Sequence, residues 1–141
     1  MAKTILTDCY VSLNGTAISD HATACTVEQT ADEVDLTTFG PSGYKQFGVG
    51  FKDATITVSV LQDFAASSID SMVSPMYSSN TVGSVQVRPT SAAISATNPA
   101  YIMGSAVLTS YNPVAGGVGD ASSTDLAFRN TGTAGIVRGT S

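Results

Sequence analysis

Apolar and polar residues alternate along most of this chain, and a period of two is the pattern of strands with one buried face. It is clearest in "ATITVSVLQ", where Ile56, Val58 and Val60 point one way and Thr55, Thr57 and Ser59 the other. "EVDLTTF" sets Val34 and Leu36 against Glu33, Asp35 and Thr37, and "SVQVR" sets Val85 and Val87 against Gln86 and Arg88. "TDLAFRN" places Leu126 and Phe128 on one face, and "YIMGSAVLTSY" from Tyr101 is strand-like in composition. Asn14-Gly15 between alternating segments predicts a tight hairpin. One segment departs from the rule: Ile69, Met72, Val73 and Met76 recur at helical spacing. Ser67 is the expected N-cap with Asp70 as its reciprocal acceptor. Pro75, which lacks an N–H, is expected to end this helix near Ser74. Pro- and Gly-marked connections over 88–99 and 112–123 separate the later strands. The pattern predicts a single mainly β domain, a β-sandwich or partial barrel with one short α-helix.

Composition changes the picture at the surface. Only 12% of the 141 residues are charged, against about 25% in ordinary soluble domains. The exterior is therefore built largely of Ser, Thr, Gly, Ala and Asn. That suits a subunit that buries its surface against copies of itself, with a low-charge β domain as the plainer reading. The net charge is −5, and Asp20, Glu28, Asp32, Glu33 and Asp35 lie in a stretch without Lys or Arg. This argues against gripping nucleic acid, which requires basic side chains to displace counterions from phosphates. A solvated hairpin face is the bland reading of the same cluster. Cys9 and Cys25 lack metal-site spacing and have a single histidine to help them, so reduced core thiols are expected. No signal-peptide pattern opens the chain, and no apolar run approaches the roughly 20 residues that span a bilayer. A soluble protein assembled in a cytoplasm, without a membrane role, is expected.

Candidate chemistry is sparse. Ser19-Asp20-His21 contains the residue types of a hydrolytic triad, but neighbours in extended backbone point to opposite faces, whereas a triad converges. Gly48-Val49-Gly50 and Gly116-Gly117-Val118-Gly119 resemble phosphate-binding loops, yet neither opens a helix. The acidic cluster lacks the spacing of a calcium loop. Asn14-Gly15-Thr16 is a glycosylation sequon that reads better as a turn. The sequence gives no catalytic, cofactor-binding or metal residue, so the expectation is a non-enzyme without a cofactor.

The segment "FGPSGYKQFGVGF", residues 39–51, is the anomaly. Four of the chain's ten aromatic residues, Phe39, Tyr44, Phe47 and Phe51, sit there among four glycines and Pro41. Glycine-rich loops are normally polar because they lie in water. Rings supply large contact areas and dominate interfaces, and glycine permits close backbone approach. A projecting arm that docks on another subunit is the preferred reading. Packing back onto the parent core is the second.

"ADEVDLTTFG", "GYKQFGVGFKDATITVSVLQDFAASSID", "VRPTSAAISATNPAY" and "FRNTGTAGIVRG" together resemble the tail tube (major tail) proteins of long-tailed bacteriophages. The likeness runs from about Val11 to Arg138, in order, spacing and texture. It implies a β-sandwich-like body with a flanking helix. It also implies a virion protein whose hexameric rings, with inner strands joined in a continuous β-barrel, stack into a hollow tube. The loop at the position of 39–51 contacts the neighbouring ring in that family, which makes Phe39, Pro41, Tyr44, Phe47 and Phe51 the expected inter-ring contacts. A negatively charged channel, which repels duplex DNA passing as unbound cargo, makes Glu28, Asp32, Glu33 and Asp35 the expected lining, carried on the two strands before the arm. The implied partners are further copies of the chain, a tape-measure protein, and tail terminator and tail-tip proteins. A capsid decoration or head–tail joining protein, or another Ig-like virion module, is the alternative.

Overall fold

The computed structural model describes Lys3 and residues 5–40, 43–80 and 83–140. Eight strands and one helix follow in chain order: β1 (Tyr10–Leu13), β2 (Thr16–Ala17), β3 (Ala22–Asp35), β4 (Phe47–Leu61), α1 (Ile69–Ser79), β5 (Gly83–Arg88), β6 (Ala100–Ser110), β7 (Ser123–Asn130) and β8 (Ile136–Gly139). All pair antiparallel in one sheet of order β2-β1-β5-β6-β7-β4-β3. β8 pairs with β6 beside the strand's first half, where Met103 faces Ile136, while β7 takes the second half. The mainly β class with one short helix is as the alternation predicts.

Period-two burial explains why the sheet curls. Ile56, Val58 and Val60 of β4, Leu126 and Phe128 of β7, Met103 and Leu108 of β6, Val85 of β5, and Val11 and Leu13 of β1 are all buried on one face. Ile69 and Val73 of α1 join the same core and cover its open side. The hairpin at Asn14-Gly15 forms with φ of 49° and 88°, the left-handed pair that a two-residue turn between twisted strands requires.

Two details of the helix differ from expectation. α1 runs through Pro75 to Ser79 and stops at Asn80, whose left-handed backbone (φ 57°) lets its N–H reach the Met76 and Tyr77 carbonyls. The bond Pro75 cannot make is the one to the Ser71 carbonyl, and Ser71 is exposed, so that carbonyl is not left unpaired in an apolar interior. The apolar stripe continues to half-buried Met76, and its packing holds the last turn. Ser67 is not the cap: it has φ 59° and precedes Ser68, the N-cap, whose hydroxyl donates to Asp63 at 2.6 Å and accepts no helix N–H. Asp70 accepts from the Tyr111 hydroxyl at 2.7 Å.

The two ends of the sheet meet. After β2, Ile18 N–H bonds back to the Val11 carbonyl at 2.9 Å, and Asp20-His21 carries the chain across to β3. His21 is clasped there, Nδ1 3.0 Å from Asp20 and Nε2 3.1 Å from Asp63. The hydrogen bond to the Asp20 carboxylate raises its pKa most; burial opposes this, and the hydrogen bond to Asp63 adds to the rise. Asp63 is lowered, chiefly by the Ser68 hydroxyl, then by the Ala65 N–H and His21. A raised histidine contributes stability that is whole below its unfolded value and is lost as pH rises through the folded one. A lowered carboxylate contributes stability that is whole above its unfolded value and is lost as pH falls through the folded one. Between the ordinary values of 3.8 and 6.5 both contributions are present. The expected outcome is a melting temperature that declines as pH rises above the ordinary histidine value of 6.5. In His21→Asn that decline is flattened, and calorimetry across the pH series measures the difference.

Candidate functional site

β3 and β4 are 14 and 15 residues long, but β7 is only 8. The β4–β7 ladder ends at Thr55–Arg129, so beyond Ala54 the β3–β4 pair leaves the body as a two-stranded ribbon. A β-bulge lies where the register shifts between Ala31 and Glu33, opposite Gly50 and Phe51. Such a bulge sharpens twist and re-aims the strand. The glycines have a further reason to be there. A Cβ on Gly48 would lie 2.6 Å from Leu36 Cδ1, and one on Gly50 3.0 Å from Val34 Cγ2. Val34 and Leu36 therefore lie across the glycine positions of the opposite strand.

The arm expected over 39–51 is thus partly a strand. Phe47 and Phe51 belong to β4, and the connection between β3 and β4 covers 36–46. The reason is continued pairing: Asp35 faces Phe47 and Val34 faces Gly48, so glycine does not break the ladder here. The neck of the hairpin is tied by Thr37 and Gln46: Gln46 N–H donates to Thr37 Oγ1 at 2.8 Å, and Leu36 N–H to the Gln46 carbonyl at 2.8 Å. Phe39 is 109% exposed, Tyr44 80%, Phe47 52% and Phe51 88%. None of the four joins the core cluster, so the self-packing reading does not hold in the subunit. Pro41 lies outside the described residues.

Three apolar residues belong with the rings and were not singled out from sequence. Val34, Leu36 and Val49 are exposed on the same ribbon. Alternation marks Val34 and Leu36 as a buried face, but the register of β3 puts them on the side away from the core, with Glu28 and Asp32, and among the described residues nothing covers that side of the ribbon. The available signal was the length of the β4 pattern against the shortness of β7. Val114 and Val118, in the connection before β7, are also exposed.

The four acids lie on β3 alone, not on two strands. Alternation separates them. Glu28, opposite Thr55, and Asp32 point to the face away from the core, while Glu33, opposite Val49, and Asp35, opposite Phe47, share the other face. Asp35 has a local task. Its Oδ1 accepts the Thr37 N–H at 2.9 Å, and hydrogen bonding to Thr37, side chain first and backbone second, holds its carboxyl below the ordinary value. The face carrying Glu28 and Asp32 continues across Asp53, Thr55, Thr57 and Ser59 of β4 and Asp125, Ala127 and Arg129 of β7. Over the body it is mainly polar, with Ala127 among the Thr, Ser, Asp and Arg side chains, and on the ribbon it runs on into Val34 and Leu36, which lie over Gly50 and Gly48. Arg129 is ion-paired with Asp53, and the Ser59 hydroxyl donates to Asp125 at 2.6 Å. Along β3, the outer edge is unpaired among the described residues.

Ser19, Asp20 and His21 do not form a triad: the Ser19 hydroxyl accepts the Val11 N–H at 2.9 Å, and His21 lies between two carboxylates. Among the described residues no cluster of His, Cys, Asp and Glu has metal-site geometry, and no helix is long and apolar enough to cross a membrane.

No protein-family model and no curated protein matches the sequence. Solved structures do match in fold. A chain from the tail of an empty GTA particle, refined with C6 symmetry, superposes with a TM-score of 0.69 at 19% identity, covering 92% of each chain. A chain of the native gene transfer agent virion gives 0.73 at 18% identity, covering 96% of this chain and 98% of its own. A chain of the sheath–tube complex of the extracellular contractile injection system PVC, in its extended state, gives 0.71 at 10% identity, covering 99% and 93%. The fold is shared with chains of gene transfer agent particles and of a contractile injection system's sheath–tube complex.

Two sets of substitutions separate ribbon from core. Tyr44→Ala and Phe51→Ala should each change subunit stability by no more than about 0.5 kcal/mol, as at other open surfaces. Phe128→Ala should cost about 3–5 kcal/mol. Denaturant titration of the unassembled subunit reads both.

Proposed function

We propose that this chain is a structural subunit of a phage-type tail, and that it assembles with its own copies into stacked hexameric rings forming a hollow tube. The observation that carries the reading is the apolar β3–β4 ribbon, exposed on a fold shared with chains of tubular particles. A ribbon of this kind left in water is an aggregation hazard unless a partner covers it. In the proposed tube Phe39, Tyr44, Phe47 and Phe51 press against the neighbouring ring, and Pro41 is assigned to the same contact by its place in the sequence. The open edge of β3 finds a strand in the next subunit, so that the inner sheets close into a barrel. No catalysis is assigned.

The polar face is the proposed channel wall. Glu28 and Asp32 stand on it, and uncompensated acids there repel duplex DNA in transit. Glu33 and Asp35 face the opposite side of the ribbon, so within a subunit they are the poorer lumen candidates. Virion location, assembly in a bacterial cytoplasm, and contacts with tape-measure, terminator and tail-tip proteins follow from the same reading. A second reading has some support: the sheath/tube terminator of the PVC system has a TM-score of 0.73 at 10% identity. A terminator would cap a tube and not build its wall.

Electron microscopy of intact tails, with antibody or mass-spectrometric identification of the wall subunit, tests the proposal. The chain should be the repeating wall component; its restriction to one end would favour the terminator reading, and its absence would end both. Tyr44→Ala or Phe47→Ala should weaken assembly by about 2 kcal/mol or more per contact if that ring is a hot spot, read as a raised critical concentration. Glu28→Lys with Asp32→Lys should preserve the fold and slow DNA delivery through tubes that contain the variant. Unchanged delivery would remove these acids from the channel.

A further inference from the structure

Cys9, just before β1, and Cys25, in β3, come from the two ends of the sheet order and meet where the sheet rolls up. Their sulfurs are 3.0 Å apart, and Cys9 Sγ–H also reaches the Arg88 carbonyl at 3.2 Å. Both are half-buried free thiols. Two surface grooves run up to the pair, one of about 550 Å³ lined by Leu6, Ser19 and Ala24 and one of about 310 Å³ lined by Val27, Val87 and Tyr101. Both grooves include Cys9 and Cys25 in their walls, so a small solute reaches the sulfurs from either side.

We propose that Cys9 and Cys25 are an oxidation site that closes to an intrachain disulfide and seals the seam between the two ends of the sheet. The oxidant is a small-molecule disulfide of the glutathione class. One protein thiolate attacks it, forming a mixed disulfide and releasing one small thiol. The second protein thiolate then attacks the protein sulfur of that mixed disulfide, forming the Cys9–Cys25 bond and expelling the other small thiol. Two protein thiols are oxidised and one external disulfide is reduced to two thiols, so atoms and electrons balance.

The local structure can accept the bond. A disulfide brings sulfurs to about 2.05 Å, so the pair must close by roughly 1 Å. Cys9 precedes the first strand, and beside Cys25 the β3–β4 register already shifts between Ala22 and Ala24. The bond encloses the Asn14-Gly15 hairpin and the His21 crossing, so it removes freedom from the unfolded chain at the point where the rolled sheet would otherwise open. Timing follows from acidity. Burial first, and the neighbouring Cys25 sulfur second, push the Cys9 thiol up to about 12. Cys9 is therefore protonated at neutral pH, which slows attack by its own sulfur, and a reducing compartment keeps both thiols free. The bond accumulates after prolonged exposure to oxidising surroundings. This inference stands whether or not the chain is a tail subunit.

The test incubates the purified full-length chain with oxidised glutathione across a pH series, alkylates remaining thiols, and measures intact mass under non-reducing conditions. The expected product is a monomer lighter by two hydrogens, without a glutathione adduct, with Cys9 and Cys25 in one cross-linked peptide and a rate that increases with pH. Its melting temperature should exceed that of the reduced chain by roughly 5–10 °C, and dithiothreitol should abolish the gain. Cys25→Ser should yield neither the mass loss nor the gain. Stable glutathione adducts, intermolecular dimers, two alkylatable thiols after exhaustive oxidation, or a bonded form no more stable than the reduced one would each overturn the proposal.

Discussion

The row Ile56, Val58 and Val60 on β4 is the interaction on which the rest of the molecule depends. Over Thr55–Leu61 this strand is paired on both sides, with β3 and with β7, and its core-facing side chains are fully buried. Main-chain hydrogen bonds and apolar burial coincide there and nowhere else along the β3–β4 pair. Eight residues earlier the same strand has one partner and no layer beneath it. A single continuous ladder thus passes from a folded core to an unsupported ribbon without a hinge. The bulge at Gly50-Phe51 and the Thr37–Gln46 tie keep that ribbon twisted and closed at its neck.

This continuity has a mechanical consequence. A flexible arm must lose conformational freedom on docking, whereas a strand-paired ribbon presents Phe47, Val49 and Phe51 in a backbone already ordered, which lowers the cost of association. The outward face has a different character. Its Thr, Ser and Asp side chains satisfy one another or face water, and Arg129 offsets Asp53 while Glu28 and Asp32 stay uncompensated. One sheet therefore carries an acidic face over its body that turns apolar on the ribbon at Val34 and Leu36, and neither part disturbs the core on its other side.

The core was legible in the sequence because alternation there is enforced by burial: Leu126 with Phe128, Val85 with Val87 and the β4 row all face inward as their spacing requires. The Asn14-Gly15 turn was equally plain, since few dipeptides accept two left-handed residues. The helix end was not. Local propensity at Pro75 is outweighed by the tertiary contacts of Met76, which no local rule contains. The ribbon was half visible. Its rings drew attention through composition, but a period-two pattern marks Val34 as buried without saying which side of the sheet it takes. The register of β3 puts it on the side away from the core, a fact of topology. The split of the four acids was implicit in their numbering, 28 and 32 against 33 and 35, and needed only the register of β3 to become definite.

Hydrogen–deuterium exchange on the free subunit and on the assembled particle measures the central claim most directly, because it reads the two halves of the β3–β4 pair separately. Amides of Thr55–Val60 should be protected in both states. Amides of the unpaired β3 edge, and those of Phe47–Asp53 that point away from β3, should exchange quickly in the free subunit and become protected on assembly. Equal protection of both halves in the free subunit, or no gain of protection in the ribbon on assembly, would contradict an account in which that ribbon is built for a neighbouring copy.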